Sequence, residues 1–411
     1  MSISDTPRGE RVHIALFGRR NAGKSSLINA LTGQEISIVS DIAGTTTDPV
    51  FKAMELLPIG PVMMIDTPGL DDEGSLGNLR IARALHILEK TDIALIAIDG
   101  TLGAGKFERD LLDGIKERNI PVILVFNKLD LVPDLAAGKK LAEAISKEFQ
   151  IPFIFVSSIT GEGIPQLKTI LMHILPEGED KFRIVGDLLS PSDLVVLVVP
   201  IDKAAPKGRL ILPQQQTIRD ILEADASVVI TKEFELRETL LSLRKKPRLV
   251  ITDSQVFAKV SADTPKDIPL TSFSILFARY KGDLPLLVRG ARALDSLVDN
   301  DLILIAEGCT HHRQCDDIGT VKLPRWIRGY TGKDIQFAFT SGGTFPSDLE
   351  KYRLIVHCGS CMLNRREMQY RLRLAQAANI PIVNYGVLIA YMQGILPRVL
   401  EPFPLAHMEI E

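Results

Sequence analysis

The sequence GRRNAGKS (residues 18–25) decides the fold of the first part of the chain. It follows the apolar run HIALF (13–17) and opens a stretch with a helical pattern, the strand–loop–helix context of a G-x-x-x-x-G-K-S phosphate-binding loop. The glycines allow backbone N–H groups to face a triphosphate, and Lys24 is expected to reach its β- and γ-phosphates. Ser25 is expected to bind Mg²⁺, and the positive end of the helix that begins near Lys24 adds to the attraction for phosphate.

Further motifs that suit contacts with Mg²⁺, the γ-phosphate and the base follow this loop along the chain. Thr46 lies in AGTTTD, Asp66 opens DTPG, and NKLD and Ser157-Ser158 come later. Asp66 follows an apolar run and suits a water-mediated Mg²⁺ contact, while the backbone at Gly69 can sense a γ-phosphate. Asp130 of NKLD can accept both N1–H and N2–H of guanine, and adenine offers no such pair of donors. The motifs therefore favour GTP over ATP.

Together these motifs resemble those of a translation-factor-type GTPase over roughly residues 11–175, and Asn21 with GTTTD resembles the TrmE/Era branch. Leu70 follows DTPG, so the glutamine that orients water in Ras-like enzymes is missing there. The resemblance implies that Asn21 helps to bind K⁺ beside the phosphates, and that K⁺ supplies the charge of an arginine finger. The chain has Thr47 where the TrmE motif usually carries arginine.

The expected catalytic residues are Lys24, Thr46 and Asp66, with Ser25 and Thr46 as Mg²⁺ ligands. The residues expected to bind GTP all belong to these motifs and are Gly18, Asn21, Ala22, Gly23, Lys24, Ser25, Ser26, Asp66, Gly69, Asn127, Lys128, Asp130, Ser157 and Ser158. Two segments are expected to reorder with the γ-phosphate, and they are switch I (about Ser37–Asp48) and switch II (Asp66–Asn78).

The four cysteines of the chain, Cys309, Cys315, Cys358 and Cys361, all lie in its last quarter. HCGSC (357–361) stands between the apolar run RLIV and a helical pattern, and Cys309 follows the apolar run LILIA in the same way. Ligands of open α/β sheets bind at the carboxyl ends of the strands, so these sulfur atoms can converge on one site.

The residues alone leave three kinds of site open. Cys309, Cys358 and Cys361 with His311 could bind Zn²⁺ tetrahedrally. The same three thiolates could hold a [4Fe–4S] cluster and leave one iron without a cysteine ligand. A redox-active CxxC pair without metal is the third interpretation.

The organisation of the chain predicts an α/β protein, with an N-terminal P-loop GTPase domain followed by two further α/β domains with mainly parallel sheets. Short apolar strands alternate with helical patterns throughout. Breaks rich in charge, Gly and Pro place the domains at 1–178, 179–265 and 266–411.

Composition points to an ordinary globular protein, with 45% hydrophobic and 24% charged residues and a net charge of −3. No bulk attraction to nucleic acid or to anionic membranes is expected from this charge. The N-terminus is polar and lacks the apolar core of a secretory signal, and the longest apolar run (194–199) is far below the ~18 residues of a membrane helix. We therefore expect a cytoplasmic protein.

The whole chain resembles the [FeFe]-hydrogenase maturation GTPase family (HydF), because a TrmE/Era-like GTPase is followed by CTH (309–311), 45 residues, and HCxxC. The resemblance implies that Cys309, Cys358 and Cys361 hold a [4Fe–4S] cluster. Candidates for a labile fourth ligand lie nearby and are His311, His357, Cys315 and Asp316.

The resemblance also implies a scaffold that receives a di-iron unit with CO and CN⁻ ligands from radical-SAM maturation enzymes and delivers it to [FeFe]-hydrogenase. GTP hydrolysis is then a switch, and the chain forms a homodimer through residues 185–265. The competing hypothesis is a ribosome- or tRNA-associated GTPase with a C-terminal zinc site, although the sequence shows no basic face and no strong RNA-reading motif.

Overall fold

The protein is described here by a computed structural model. It describes residues 6–33, 49–68, 84, 86–174, 183–200, 210–309 and 317–410. The chain divides into two compact units, Met1–Glu177 and Gly178–Glu411.

The first unit is built on a six-stranded sheet with the order β2-β3-β1-β4-β5-β6. Its strands are β1 (Val12–Phe17), β2 (Val50–Leu56), β3 (Gly60–Asp66), β4 (Ile93–Asp99), β5 (Val122–Asn127) and β6 (Phe153–Phe155). Among the described strands of this sheet, only β2 is antiparallel to its neighbour. Ala15 and Phe17 of β1 enter one apolar cluster and Ile14 and Leu16 another. The sheet is thus buried on both faces, which explains the apolar runs.

Helices alternate with these strands along the chain, as the sequence pattern predicts. They are α1 (Lys24–Thr32), α2 (Lys106–Glu117), α3 (Leu135–Phe149) and α4 (Ile164–Ile174). Helix α3 begins after Asp134, whose carboxylate accepts the N–H groups of Ala136 and Ala137, both at 3.0 Å. This N-cap satisfies backbone donors that the first turn leaves free.

The second unit contains two four-stranded sheets, with the orders β10-β9-β7-β8 and β12-β11-β13-β14, and every pairing among the described strands is parallel. The strands are β7 (Leu194–Val198), β8 (Ser227–Thr231), β9 (Leu249–Thr252), β10 (Leu270–Ser272), β11 (Leu302–Glu307), β12 (Gln336–Ser341), β13 (Leu354–His357) and β14 (Ile382–Asn384). The predicted fold class, a P-loop domain followed by mainly parallel α/β structure, is confirmed.

The helices of the second unit are α5 (Leu212–Glu223), α6 (Leu236–Ser242), α7 (Phe257–Asp263), α8 (Phe273–Lys281), α9 (Leu284–Ala291), α10 (Leu323–Thr331), α11 (Arg365–Ala377), α12 (Tyr385–Met392), α13 (Leu396–Leu400) and α14 (Pro404–His407). Buried residues of both sheets belong to one continuous apolar cluster. Strand β10 pairs with β9, so the first of these sheets extends past residue 265, where the sequence analysis places a domain boundary.

Strands β2 and β10 are not marked by apolar runs in the sequence. Strand β2 lies at the edge of its sheet, and Lys52 and Glu55 interrupt its apolar residues, so no buried run marks it. Strand β10 is only three residues long, and tertiary pairing rather than local pattern defines it.

Candidate functional sites

The phosphate-binding loop joins the end of β1 to the start of α1. Gly18 and Gly23 have φ values of 146° and 83°. A Cβ at Gly18 would lie 2.2 Å from the carbonyl oxygen of Ala97, and one at Gly23 would lie 2.2 Å from Nδ2 of Asn127. Both positions therefore require glycine. Asn21, between them, has a left-handed φ of 62° and is exposed.

Lys24 and Ser25 open α1 beneath this loop. Lys24 is 8% exposed, and its Nζ donates to the carbonyl oxygens of Gly18 at 3.0 Å and Arg19 at 2.8 Å. These bonds hold the ammonium against the inner side of the loop, where a phosphate would be bound. Ser26 is exposed in the first turn of α1, and Ala22 is buried.

Asp66, at the end of β3, meets Ser25. The Ser25 hydroxyl donates to Oδ2 of Asp66 at 2.8 Å. Oδ1 of Asp66 is buried and has no hydrogen-bond partner among the described residues, and burial raises the pKa of this carboxyl. An orphaned carboxylate oxygen beside a hydroxyl fits Mg²⁺, which prefers hard oxygen ligands. Thr46 and Gly69 lie outside the described residues, as do most residues of both switches.

The guanine motif is linked to the phosphate loop through buried Asn127. Its Nδ2 donates to the carbonyl oxygen of Ala22 at 3.1 Å, and its Oδ1 accepts the N–H of Ser158 at 3.1 Å. Lys128 has a left-handed φ of 62°, and its ammonium binds Asp99 at 2.6 Å. The structure thus brings the phosphate-binding loop together with the NKLD motif and the Ser157-Ser158 loop.

Asp130 is exposed, and its Oδ1 accepts the hydroxyl of Ser157 at 2.5 Å. This bond fixes the orientation of the carboxylate, as recognition of two adjacent guanine donors requires.

One contact of the phosphate loop is not predicted by the motifs. Arg19 makes two bonds to Glu108 of α2, with Nε–Oε1 at 2.8 Å and Nη2–Oε2 at 2.9 Å. The Glu108 side chain is 2% exposed and also accepts the N–H of Gly105 at 2.7 Å. Nothing in the sequence pairs these two residues, because they lie 89 positions apart.

The predicted cysteine site lies at the carboxyl ends of β11 and β13. These strands are parallel neighbours with Ala306 aligned to His357, so Cys309 and the HCxxC loop follow at the same edge of the sheet. The N–H of Gly308 donates to Sγ of Cys358 at 3.0 Å, and the N–H of Ser360 donates to the same sulfur at 3.4 Å. Such donors stabilise a thiolate ligand and are typical of iron–sulfur sites.

The thiols themselves are partly enclosed. Burial raises the pKa of Cys358, while the N–H donors of Gly308 and Ser360 lower it. Burial and then the neighbouring Cys358 raise the pKa of Cys361 to about 11, and the charge of Lys281 acts in the opposite direction. Cysteines in this state keep their protons at neutral pH and release them when a metal binds.

His357 is fully buried, and both of its ring nitrogens are engaged. Nη1 of Arg371 lies 3.0 Å from Nε2, and because an arginine only donates, Nε2 accepts and Nδ1 carries the proton. Nδ1 then donates to the carbonyl oxygen of Cys358 at 3.0 Å. Burial and the Arg371 charge lower the pKa of His357 to about 3. In this arrangement His357 orients the loop and presents no nitrogen to a metal.

The other candidate fourth ligands, His311, Cys315 and Asp316, lie outside the described residues. Within the described part of the chain, no group of three or more His, Cys, Asp or Glu side chains is assembled as a metal site. The three predicted cysteines, Cys309, Cys358 and Cys361, are not joined to one another by a disulfide bond in this structure.

Three charged residues around the HCxxC loop are missed by the sequence analysis. Arg371 is 1% exposed and donates to the carbonyl oxygen of Gly342 at 2.7 Å and to Glu367 at 3.0 Å. Glu307 is 3% exposed and accepts the Tyr385 hydroxyl at 3.4 Å. Lys281 is 1% exposed. The spacing of Glu367 and Arg371 signals an ion pair on a helix, but only the fold shows that it is buried.

No helix in the described ranges combines the length and the apolar character needed to cross a bilayer.

Family models match most of the chain. The model described as "Hydrogen maturase F dimerization domain" matches residues 184–282, and the "Hydrogen maturase F tetramerization domain" matches 285–402. Together these two models match more than half of the chain. The "50S ribosome-binding GTPase" model matches residues 13–128.

The curated relatives carry the names of GTPases and match less than half of this chain. The tRNA modification GTPase MnmE of Nitrosomonas europaea is 38% identical over 164 residues, which are 40% of this chain and 34% of MnmE. GTPase Der of Mycoplasmopsis pulmonis is 33% identical over 187 residues, 43% of each chain. The chain therefore spans less than half the length of these relatives. The solved structure of Era from Aquifex aeolicus with GDP·AlF4⁻ is 22% identical, covers 54% of this chain and 93% of its own, and has a TM-score of 0.36.

Proposed function

Because the chain belongs to the hydrogen maturase F family, we propose that it is a GTP-hydrolysing scaffold that carries a [4Fe–4S] cluster and a di-iron precursor of the [FeFe]-hydrogenase active site. One observation carries this proposal. Neighbouring parallel strands bring Cys309 and the HCxxC loop to one sheet edge, in a chain that also has a P-loop GTPase domain.

In the GTPase domain, Lys24 would neutralise the phosphates, Ser25 and Thr46 would bind Mg²⁺, and Asp66 would contact the ion through a water molecule. The orphaned oxygen of Asp66 supports this set. Asn21 would bind K⁺, whose charge would take the role of an arginine finger. The position of Asn21 in the phosphate loop supports this assignment.

In the second unit, Cys309, Cys358 and Cys361 would hold the cluster, with the N–H groups of Gly308 and Ser360 donating to Cys358. When bound, a cluster with only three thiolate ligands supplies one exchangeable coordination position. The cargo would be the di-iron unit with CO and CN⁻ ligands, received from radical-SAM enzymes and passed to the hydrogenase by a homodimer in the cytoplasm.

The competing hypothesis is a ribosome- or tRNA-associated GTPase with a zinc site, and the ribosome-binding GTPase model that matches residues 13–128 favours only its first part. The family models that match residues 184–282 and 285–402 are both those of hydrogen maturase F, and this match supports the scaffold instead.

The proposal is tested by anaerobic purification of the wild type and of single alanine variants of the four cysteines. Iron, sulfide and zinc are counted, and the reduced proteins are examined by EPR. We expect Cys309→Ala, Cys358→Ala and Cys361→Ala to lose the cluster and to fail in hydrogenase maturation, because each removes a thiolate anchor. Cys315→Ala is the control and should retain most of the iron, and GTP hydrolysis should persist in all four. Full iron in Cys358→Ala, or stoichiometric zinc in the wild type, would refute the cluster scaffold.

A further inference from the structure

Lys281 is a buried cation beside the HCxxC loop. It is the last residue of α8, and its Nζ donates to the carbonyl oxygens of Leu363 at 2.7 Å and Cys361 at 3.3 Å. The ammonium also lies over the rings of Phe277 at 5.8 Å and Tyr280 at 5.9 Å. A 1% exposed residue keeps little of its hydration, and these contacts help to fix the position of the ammonium.

The other end of α8 reaches the same loop. Ser274 donates to Oδ1 of Asn384 at 2.9 Å, and Nδ2 of Asn384 donates to the carbonyl oxygen of Cys358 at 3.4 Å. Gly359 backs directly onto the helix, since a Cβ there would lie 3.7 Å from Oγ of Ser274 and 3.9 Å from Cβ of Phe277. Helix α8 therefore supports the loop along its length.

The C-terminal end of α8 is fixed in turn by α11. Nε2 of Gln369 donates to the carbonyl oxygens of Gly282 at 3.0 Å and Lys281 at 3.3 Å. The backbone of Lys281 is thus held by α11 while its side chain holds the loop between β13 and α11. The side chain is thus anchored beside Cys361, whose backbone carbonyl oxygen it bonds.

We infer that Lys281 is a positioning residue of the cysteine site. Its side chain holds the loop that carries Cys358 and Cys361, and its ammonium supplies a fixed positive charge beside the group that these sulfur atoms bind. The inference rests on the proposed function, because it takes the bound group to be a [4Fe–4S] cluster. Adding one electron to such a cluster increases its negative charge. A nearby cation in a low-dielectric site favours that state and equally favours an anionic cyanide-bearing cargo.

The test compares Lys281→Met, which removes both the charge and the hydrogen bonds, with Lys281→Gln, which removes the charge and keeps a donor. Lys351→Met is the matched control, because Lys351 pairs with Asp348 in an exposed position of the same unit. Each anaerobically purified full-length protein is titrated with dithionite, with reduction followed by EPR, and the rate of iron loss to a chelator is measured.

We expect both Lys281 variants to have lower midpoint potentials than the wild type and Lys351→Met. Lys281→Met should also lose iron faster, on the order of tenfold, as is common when a residue that orients metal ligands is removed. Lys281→Gln should retain iron better than Lys281→Met, which separates charge from hydrogen bonding even if the methionine variant folds poorly. Wild-type potential in Lys281→Gln would overturn the inference and leave the proposed function intact. A wild type without a cluster would overturn both.

Discussion

Asp130→Asn in the NKLD motif should weaken the preference of the protein for GTP. The substitution keeps the size of the side chain and replaces one carboxylate oxygen by an NH₂ group. The Ser157 hydroxyl, which now donates to Oδ1 at 2.5 Å, can bond to either end of the amide, so the loop should keep its shape. Guanine, in contrast, presents two donors to a group that now has one acceptor.

The magnitude follows from the loss of one hydrogen bond to a charged acceptor, which is worth roughly 1.5–3 kcal/mol. At about 1.4 kcal/mol per factor of ten, GTP should bind roughly 10- to 150-fold more weakly. Xanthosine triphosphate carries a carbonyl oxygen in place of the guanine amino group and can accept from the new amide. Its affinity should therefore increase, so that the preference between the two nucleotides changes in its favour.

Affinities are measured by competition against a fluorescent guanine nucleotide at fixed Mg²⁺ for the wild type, Asp130→Asn and Asp134→Asn. Asp134 is the control because it caps α3, and asparagine caps a helix as well as aspartate does. Unchanged discrimination between GTP and xanthosine triphosphate in Asp130→Asn would refute the assignment of NKLD.

Further predictions concern charge at the two sites. Lys24→Ala should reduce GTP hydrolysis by roughly 10²–10³-fold because it removes a phosphate-binding charge. Its iron content, measured in parallel, should equal that of the wild type. Loss of iron would contradict the independence of the GTP site and the cysteine site. Replacing K⁺ by Na⁺ should slow steady-state hydrolysis by the wild type, and equal rates would count against Asn21 as a cation ligand. The pKa of His357 is lowered from 6.5 to about 3, so between these values the unfolded chain binds a proton that the folded protein does not. Stability of the metal-free protein should therefore decrease as the pH falls through this range, and His357→Gln should show a smaller decrease in equilibrium unfolding.

Much of the GTP site is predictable from sequence because its chemistry is local. Gly18, Gly23 and Lys24 act within one loop, and the apolar run before them indicates the strand. The partners of that loop are harder to predict, since Arg19 and Glu108 lie 89 positions apart and meet only in the folded protein. Whether a charged side chain such as that of Glu108 is buried depends on tertiary packing and cannot be predicted from the neighbouring sequence.

The cysteine site shows the same division. The positions of Cys309 and Cys358 after apolar runs predict that both follow strands, but the adjacency of those strands depends on the sheet order β12-β11-β13-β14. Lys281 and Arg371 read as ordinary charged residues of amphipathic helices. Their roles depend on which helix face packs against the HCxxC loop, and the periodicity of the sequence does not specify that packing.

The hydrogen bonds of Asn127 have a consequence for nucleotide capture. This side chain joins the phosphate loop to the Ser157-Ser158 loop through Ala22 and Ser158, while its own backbone carries the guanine motif. Hydrogen bonds of the protein itself therefore hold three recognition segments to one another. Preorganisation of this kind leaves little ordering entropy to be lost on binding, so more of the contact energy with GTP is retained as affinity.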